Sequence, residues 1–267
     1  MKALREKIGM VGVGNMGAAI LEGLFRKKIA DPSQIWVSDK IKEKAAEFSR
    51  TRQVKLSPTP ADLARHVDVI ILAVKPQDLE SLGPELRPVL KGHVLITILA
   101  GTPIAKIKRL LGEKTPVVRA MPNLGAKVGE AITALTGENS GSLQLAEKIF
   151  SGCGKTVVLE EKNFDLVTAA SGSGPAYFFY LIELLAKFSE KEGLTRKVAE
   201  QLAIQTCIGA GRLAQASASS PEELRKMVTS KGGTTEAALK VLEEKGFGNI
   251  FHEALGAALK RGRELSQ

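Results

Sequence analysis

The feature that most limits the fold is a pair of short, almost continuous apolar runs, VDVIILAV at residues 67–74 and HVLITIL at residues 93–99. Runs of this length are typical of strands that are buried on both faces, as in a parallel sheet. Amphipathic stretches of helical length separate them from weaker runs such as QIWVSD and PVVRAMP. This alternation predicts an α/β fold built on a doubly wound parallel sheet.

The pattern changes after about Val158, where strand-like runs stop and helical patterns continue to the end of the sequence. Helix signals in this part include a capping box over residues 220–223 and a terminating glycine, Gly246. We therefore predict two domains, a sheet domain at 1–160 and an all-α domain at 161–267. A chain of 267 residues is long enough to bury a substantial core.

The first predicted strand, KIGMV, leads directly into a GxGxxG motif, Gly12-Val13-Gly14-Asn15-Met16-Gly17. A glycine motif that follows a strand and opens a helix is typical of dinucleotide-binding domains of the Rossmann type. Its first glycine makes a tight turn, its second admits the pyrophosphate, and its third packs the helix on the strand. An ordinary glycine-rich turn is the alternative. The context favours binding of NAD(P)H.

The residues that end the second predicted strand, Ser38, Asp39 and Lys40, bear on the choice between NADP and NAD. An acidic residue at this point commonly accepts a hydrogen bond from the ribose 2′-OH of NAD, whereas a basic residue suits the 2′-phosphate of NADP. Asp39 is equally suited to capping the helix that begins near Ile41. The pair of Ser38 and Lys40 leads us to expect NADPH, and NADH stays open.

Further candidate cofactor contacts lie where other strands end, because the carboxyl ends of strands in such a sheet face the ligand crevice. Lys75, between Val74 and Pro76, either contacts the cofactor or points into solvent. Ala100 follows another strand, beside the expected nicotinamide. Asn123 follows a third strand, where it either orients a ligand or stabilises a turn.

Charge and composition argue against several classes of function. The net charge is +9, but the basic residues are scattered and aromatics make up 4%, which disfavours nucleic-acid binding. The three histidines and two cysteines form no cluster, which argues against a metal site. Cys153 and Cys207 are far apart in the sequence, which fits a reducing compartment. We expect both to be small buried packing residues. We find no signal peptide and no apolar stretch of membrane-spanning length, so we expect a cytoplasmic protein that binds no membrane.

A second stretch with little side-chain bulk, TSKGGTTEAAL at residues 229–239, lies between two predicted helices. Backbone N–H groups at the start of a helix lack intrahelical partners, and with the helix dipole they suit a carboxylate. Gly232 and Gly233 have no side chains to obstruct its approach. The alternative is an ordinary turn between helices that is capped by Thr234 or Thr235.

Taken in order, the segments GVGNMG, LAVKPQ, AMPN, SGSGPAYFF and VTSKGGTTEAAL resemble the pyrroline-5-carboxylate reductase family over almost the full chain. SGSGPAY and GGTT are the specific segments, since GxGxxG is shared with many dehydrogenases. The resemblance implies a Rossmann domain and an all-α dimerisation domain, in a homodimer that often belongs to a larger homo-oligomer. It also implies reduction of 1-pyrroline-5-carboxylate to L-proline with NADPH or NADH, in a site where the cofactor domain of one subunit meets the helical domains.

The resemblance, together with the strand-end positions, supplies the candidate site residues. The expected cofactor contacts are Gly12, Val13, Gly14, Asn15, Met16, Gly17, Ser38, Lys40, Val74, Lys75, Pro76 and Ala100. The expected substrate contacts are Ser230, Gly232, Gly233, Thr234 and Asn123. Thr235 is the expected catalytic residue, because its hydroxyl is placed to hydrogen-bond the ring nitrogen. No side chain stands out as a dedicated general acid.

Three positions depart from the family's usual pattern. Lys231 replaces the proline of SPGGTT, Leu124-Gly125 replaces the second half of MPNTP, and Pro60 stands near an asparagine of some relatives. These departures leave the identity of the cyclic imine and the cofactor preference open.

Two other interpretations compete with the reductase. Hydroxyacid dehydrogenases of the 6-phosphogluconate dehydrogenase type carry a lysine and an asparagine one turn apart in their central helix, and residues 174–184 contain neither. A dinucleotide-binding regulator without catalysis is disfavoured, because it needs no GGTT loop.

Overall fold

The computed structural model describes residues 3–266, and its contacts divide the chain into two compact units. The sheet unit comprises the residues up to Gly172 together with those from Leu259 onward, and the helical unit comprises Ser173–Ala258. The domain boundary that the sequence places between residues 160 and 161 stays a prediction. In the structure, residues 161–172 belong to the sheet unit.

The sheet unit contains strands β1 (Ile8–Val11), β2 (Ile35–Ser38), β3 (Lys55–Leu56), β4 (Val69–Leu72), β5 (Val94–Thr97), β6 (Val117–Met121), β7 (Ala131–Gly137) and β8 (Gly154–Val158). They form one sheet in the order β3-β2-β1-β4-β5-β6-β7-β8. All pairs from β3 to β6 are parallel. The predicted α/β class with a doubly wound sheet is therefore confirmed.

One strand breaks the parallel pattern, because β7 pairs antiparallel with β6. The chain returns through a short 3-10 turn, Leu124–Val128, whereas a parallel neighbour needs a crossover of about a dozen residues or more. β8 then lies parallel to β7. The sequence analysis identified neither strand, since AITALTG and GKTVV lack the continuous apolar character of VDVIILAV.

Helices cover both faces of the sheet. They are α1 (Asn15–Arg26), α2 (Lys42–Arg52), α3 (Pro60–Ala64), α4 (Leu79–Leu86), α5 (Ile104–Leu111), α6 (Ser140–Phe150) and α7 (Phe164–Val167). One apolar cluster joins the sheet to α1 and α6, and a second joins it to α3, α4 and α5. The sheet is therefore buried on both sides, which explains the unbroken apolar runs of its central strands.

The two cysteines differ in their surroundings. Cys153 is fully buried, and burial raises the pKa of its thiol to about 11. Cys207 is half-buried in the helical unit. Cys153 thus agrees with the expected small packing residue, whereas Cys207 is partly open in the single chain.

The helical unit contains α8 (Gly174–Lys191), α9 (Arg196–Ala216), α10 (Pro221–Met227), α11 (Thr234–Glu244) and most of α12 (Phe247–Ser266). The capping box of α10 is confirmed: Ser220 Oγ accepts from the Glu223 amide, and the Glu223 carboxylate accepts from the Ser220 amide. Gly246, at a φ of +69°, follows the end of α11 as predicted.

The core of the helical unit is small. Its buried apolar residues, within the part of the chain that the structure describes, are Ala186, Ala199 and Ala203. Large side chains on the same helices are exposed in the single chain, among them Phe178, Phe179, Tyr180 and Phe188. Despite these apolar faces, none of the helices described between residues 3 and 266 has the length and apolarity needed to cross a bilayer.

Candidate functional site

The glycine motif adopts a different local geometry at each of its three glycines. Gly12 has a φ of +99°, and a Cβ there would lie 2.6 Å from the carbonyl oxygen of Ala73. A Cβ on Gly17 would overlap the carbonyl oxygen of Gly12, whereas one on Gly14 would meet no atom within 4 Å. The loop thus turns at Gly12, packs tightly at Gly17 and leaves open space at Gly14.

Helix α1 begins directly after this open position. Gly14 is its N-cap residue, and no side chain caps the helix. The first amides of a helix lack intrahelical partners and carry the positive end of the helix dipole. The observed space and the uncapped amides therefore fit the pyrophosphate of a dinucleotide.

The end of β2 is tied to the glycine loop by hydrogen bonds. The Ser38 carbonyl oxygen accepts from the Gly12 amide at 2.8 Å, and Ser38 itself is 2% exposed. Asp39 accepts from the Val13 amide through Oδ2 and from the Ile41 amide through Oδ1, both at 2.8 Å. Asp39 therefore joins the glycine loop to the residue before α2. The alternative that Asp39 caps this helix is wrong, because Ile41 is the N-cap residue and no side chain caps α2.

Lys40, the third residue at this strand end, forms an ion pair with Asp78. Its ammonium lies 3.0 Å from Asp78 Oδ1, and the lysine side chain is largely exposed. This ion pair was not anticipated, because Asp78 lies in the turn that follows β4.

The other expected cofactor residues lie at the same edge of the sheet. Val74, Lys75 and Pro76 follow β4, and Ala100 follows β5, so these residues and the glycine loop share the carboxyl ends of adjacent parallel strands. Lys75 is exposed at the start of a 3-10 turn, Pro76–Asp78. The strand order therefore brings together residues that are widely separated in the sequence.

Asn123 adopts the turn geometry that was one of its two predicted roles. Its Oδ1 accepts from the Gly125 amide at 3.1 Å, and its Nδ2 donates to Ser171 Oγ at 3.4 Å. Asn123 begins the turn that precedes β7. A contact between Asn123 and substrate stays a prediction.

Lys127 is a neighbour of the glycine loop that the sequence analysis missed. Its ammonium donates to Asn15 Oδ1 at 3.1 Å, across a sequence separation of 112 residues. Both residues line a groove of about 670 Å³ that also includes Gly14. No local signal marks Lys127, since a lone lysine in a turn is ordinary.

The GGTT loop forms the start of α11. Gly232 has a φ of +72°, and the Gly233 amide donates to the Ser230 carbonyl oxygen at 3.0 Å. A Cβ on Gly233 would lie 2.5 Å from Ser230 Oγ and 3.0 Å from the Ser230 carbonyl oxygen, so a side chain there would force Ser230 to move. Gly233 is the N-cap residue of α11, and neither Thr234 nor Thr235 caps the helix by its side chain. The alternative of a threonine-capped turn is therefore wrong.

Glu236 is the second residue that the sequence analysis missed. Its Oε2 accepts from the Gly232 amide at 2.7 Å, from the first turn of α11 back to the loop. The amides of Gly232 and Gly233 are thus engaged within the loop. Those of Thr234 and Thr235 begin the helix and are the ones suited to an anion. Ser230 and Lys231 are exposed.

The predicted site residues fall into two groups. The cofactor group and Asn123 belong to the sheet unit, and Ser230 to Thr235 belong to the helical unit. Each group includes the start of a helix whose N-cap residue is a glycine and which no side chain caps.

Both parts of the chain match known protein families. Residues 161–265 match the family described as pyrroline-5-carboxylate reductase dimerisation. Residues 7–101 match the family described as NADP oxidoreductase, coenzyme F420-dependent.

Relatives match over almost the whole length. Pyrroline-5-carboxylate reductase of Pseudomonas aeruginosa is 38% identical over 266 residues, which cover 98% of this chain and 97% of the relative. The structure of a pyrroline-5-carboxylate reductase from Coxiella burnetii is 35% identical, with a TM-score of 0.91 and coverage of 99% of this chain and 100% of that one. The crystal structure of Plasmodium falciparum pyrroline carboxylate reductase with NADP bound is 29% identical, with a TM-score of 0.89 and complete coverage of both chains.

Proposed function

The chain belongs to the pyrroline-5-carboxylate reductase family, and we propose that it reduces the C=N bond of 1-pyrroline-5-carboxylate with NAD(P)H to give L-proline. The observation that carries this proposal is the near-complete alignment with reductases at 34–38% identity. The geometry of the glycine motif and of the GGTT loop supports it. The reaction completes proline biosynthesis from the cyclic imine.

The sheet unit holds the dinucleotide. The amides at the start of α1 bind its pyrophosphate, because Gly14 leaves the approach open and no side chain caps the helix. Asp39 and the residues that end β4 and β5 border the adenosine and nicotinamide ends. When bound, the reduced nicotinamide supplies the hydride.

The GGTT loop holds the substrate. The amides of Thr234 and Thr235 bind the carboxylate, while the bonds from Gly232 to Glu236 and from Gly233 to Ser230 keep the loop curled. The Thr235 hydroxyl hydrogen-bonds the ring nitrogen. Lys231 is exposed beside the loop and adds positive charge to the approach.

Reduction adds a hydride to the imine carbon and a proton to the nitrogen. We assign to the Thr235 hydroxyl the relay of this proton from water to the ring nitrogen. Hydride transfer requires the reacting atoms to be about 3–3.5 Å apart, so the two groups of site residues must meet in the active assembly. Positioning, and not a strongly acidic side chain, is the main contribution of the protein.

The helical unit forms a homodimer in this proposal. Phe178, Phe179 and Ile204 line an apolar groove of about 760 Å³ between α8 and α9. Exposed apolar side chains that line one groove are typical of an interface. A second copy of the chain covers it, and further association into a larger ring is part of the proposal.

The cofactor preference separates two versions of the reductase. The residue types at the end of β2 led us to expect NADPH, with NADH open. The contacts of Ser38, Asp39 and Lys40 bear directly on this choice.

A direct test uses the purified full-length chain. Addition of pyrroline-5-carboxylate should cause oxidation of NADPH or NADH, which is monitored as a loss of nicotinamide absorbance. L-proline should be the product. A protein that binds either cofactor but turns over neither would contradict the proposal. Other cyclic imines, assayed in parallel, measure how far the SKGG and MPNLG departures change substrate choice.

A further inference from the structure

We infer that this chain binds NADH more tightly than NADPH, because the carboxylate of Asp39 faces the place where the adenosine 2′-phosphate would lie. The inference rests on the proposed function, since it concerns the cofactor of that site. In Rossmann-type domains the residues at the end of the second strand contact the adenosine ribose. Here those residues are Ser38, Asp39 and Lys40.

Asp39 is held in a fixed orientation. Its two oxygens accept from the amides of Val13 and Ile41 at 2.8 Å each, so it cannot turn away without breaking both bonds. An ionised carboxylate has about four acceptor positions, and two remain for donors. The 2′- and 3′-hydroxyls of a ribose can donate to them. A phosphate offers negative charge and no strong donor, so Asp39 repels it.

Ser38 does not compensate for this charge. The residue is 2% exposed, and its carbonyl oxygen holds the Gly12 amide at 2.8 Å. The residue therefore offers almost no surface to a ligand. The residue that suggested a 2′-phosphate in the sequence therefore belongs to the wall of the sheet.

Lys40 is paired with Asp78, but this ion pair has less influence on the cofactor preference than Asp39 has. Its ammonium pairs with Asp78 at 3.0 Å in an exposed position, and such pairs contribute little to stability. Lys40 can therefore leave Asp78 at small cost. Even then, Asp39, Asp78 and Lys40 together carry one net negative charge. Asp39 is thus the residue that decides, and the ion pair is secondary.

Lys42 is the strongest opposing candidate. It is exposed in the first turn of α2, where the helix dipole also favours an anion. Its side chain is exposed, whereas both carboxylate oxygens of Asp39 are bound by backbone amides. A 2′-phosphate held by Lys42 would reverse the preference, and this difference makes the inference testable.

The test measures binding without turnover. Isothermal titration calorimetry on the full-length protein compares ADP-ribose with 2′-phospho-ADP-ribose at one ionic strength. We expect ADP-ribose to bind at least about tenfold more tightly, which corresponds to about 1.4 kcal/mol. Equal affinities, or tighter binding of the phosphorylated ligand, would overturn the inference.

Variants identify the residue responsible. The ratio of interest is the affinity for ADP-ribose divided by the affinity for 2′-phospho-ADP-ribose. Asp39→Asn should lower this ratio about tenfold, whereas Asp78→Asn should lower it about twofold to threefold. Asp31→Asn is the matched control: Asp31 caps the turn before β2 and is remote from the strand's carboxyl end, so its loss should leave the ratio unchanged. An unchanged ratio in Asp39→Asn would overturn the assignment to Asp39.

Two further readouts keep the inference independent of the fold and of catalysis. If Asp39→Asn is too unstable for binding to be measured, Lys42→Ala provides the test. A roughly tenfold loss of affinity for 2′-phospho-ADP-ribose, with the affinity for ADP-ribose unchanged, would show that Lys42 holds the phosphate and would contradict the inference. Failure of the wild type to bind either nucleotide would overturn this inference together with the proposed function. Tight binding in the reverse order would overturn this inference alone.

Discussion

The sheet unit and the helical unit bury their apolar residues in different ways. In the sheet unit large side chains such as Ile20, Leu24 and Phe150 are fully buried within the chain. In the helical unit the buried apolar residues, within the described part, are three alanines, and Phe178 remains 58% exposed. The first unit buries its large apolar side chains within the single chain, whereas the second leaves them uncovered, and in the proposed function a second copy covers them.

The difference has a physical cause. A sheet covered by helices on both faces encloses its apolar side chains between layers. Helices α8 and α9 pack against each other mainly through small residues, so their other faces stay open. Burying a phenylalanine contributes about 1.5–3 kcal/mol, so several exposed aromatics represent a large stabilisation that only association can supply. Stability of the helical unit should therefore depend on protein concentration.

The largest expected effect comes from a charge in the groove of the helical unit. Phe178→Glu places a carboxylate in the apolar groove on each of two copies. We expect at least about a hundredfold weaker dimerisation, because both copies lose apolar burial and gain a buried charge. Analytical ultracentrifugation measures the association.

The matched control for Phe178→Glu lies in the sheet unit. Val158, in the edge strand β8, is 48% exposed, so Val158→Glu should leave the dimer intact. Equal weakening by both substitutions would show that the two units do not differ in the way described.

The next effect concerns the substrate loop. Thr235→Ala should lower kcat about tenfold to a hundredfold and leave cofactor affinity almost unchanged, because its hydroxyl acts on the ring nitrogen and not on the dinucleotide. Steady-state kinetics and a separate cofactor titration provide the two values. A parallel loss of turnover and of cofactor affinity would mean that Thr235 is structural.

A pair of glycine substitutions separates stability from binding within the sheet unit. Gly12→Ala should destabilise the fold by about 1–3 kcal/mol, because φ is +99° and the new Cβ meets the Ala73 carbonyl. Gly14→Ala should leave the melting temperature unchanged and weaken NAD(P)H binding about tenfold, because its Cβ enters the open space above the helix. Tight cofactor binding by Gly14→Ala would contradict the assigned pyrophosphate site.

The smallest expected effect tests Glu236. Glu236→Ala removes the acceptor of the Gly232 amide and should raise the KM for the imine about threefold at constant kcat, in line with one hydrogen bond. Glu236→Gln keeps an acceptor and should stay within about twofold of the wild type. If both variants behave like the wild type, the bond from Glu236 does not shape the loop.

Features that depend on residues close together in the sequence could be predicted from the sequence. The central strands, the glycine loop, the capping box of α10 and the end of α11 at Gly246 all occur as expected. Each of them follows from apolar periodicity, from a positive φ, or from hydrogen bonds between residues a few positions apart. The antiparallel strand β7 was missed, because its short, mixed pattern carries no signal for the direction of pairing.

The candidate site divides in the same way. Residue types and spacing pointed to the two helix starts that present free amides and to the glycines that leave them accessible. Contacts across the fold could not be foreseen, such as Lys127 with Asn15 or Lys40 with Asp78. Their partners are brought together by the order of the strands and not by the order of the chain.

The sequence by itself determined the class of fold, the two helix starts and the family, because these depend on local patterns and on motifs in a fixed order. The tertiary structure alone decided which side chains meet at the carboxyl ends of the strands and how they are restrained. Asp39 shows the distinction: its residue type allowed two roles, and its bonds to Val13 and Ile41 set the direction of its charge. Orientation of this kind depends on contacts between distant segments, which local patterns do not encode.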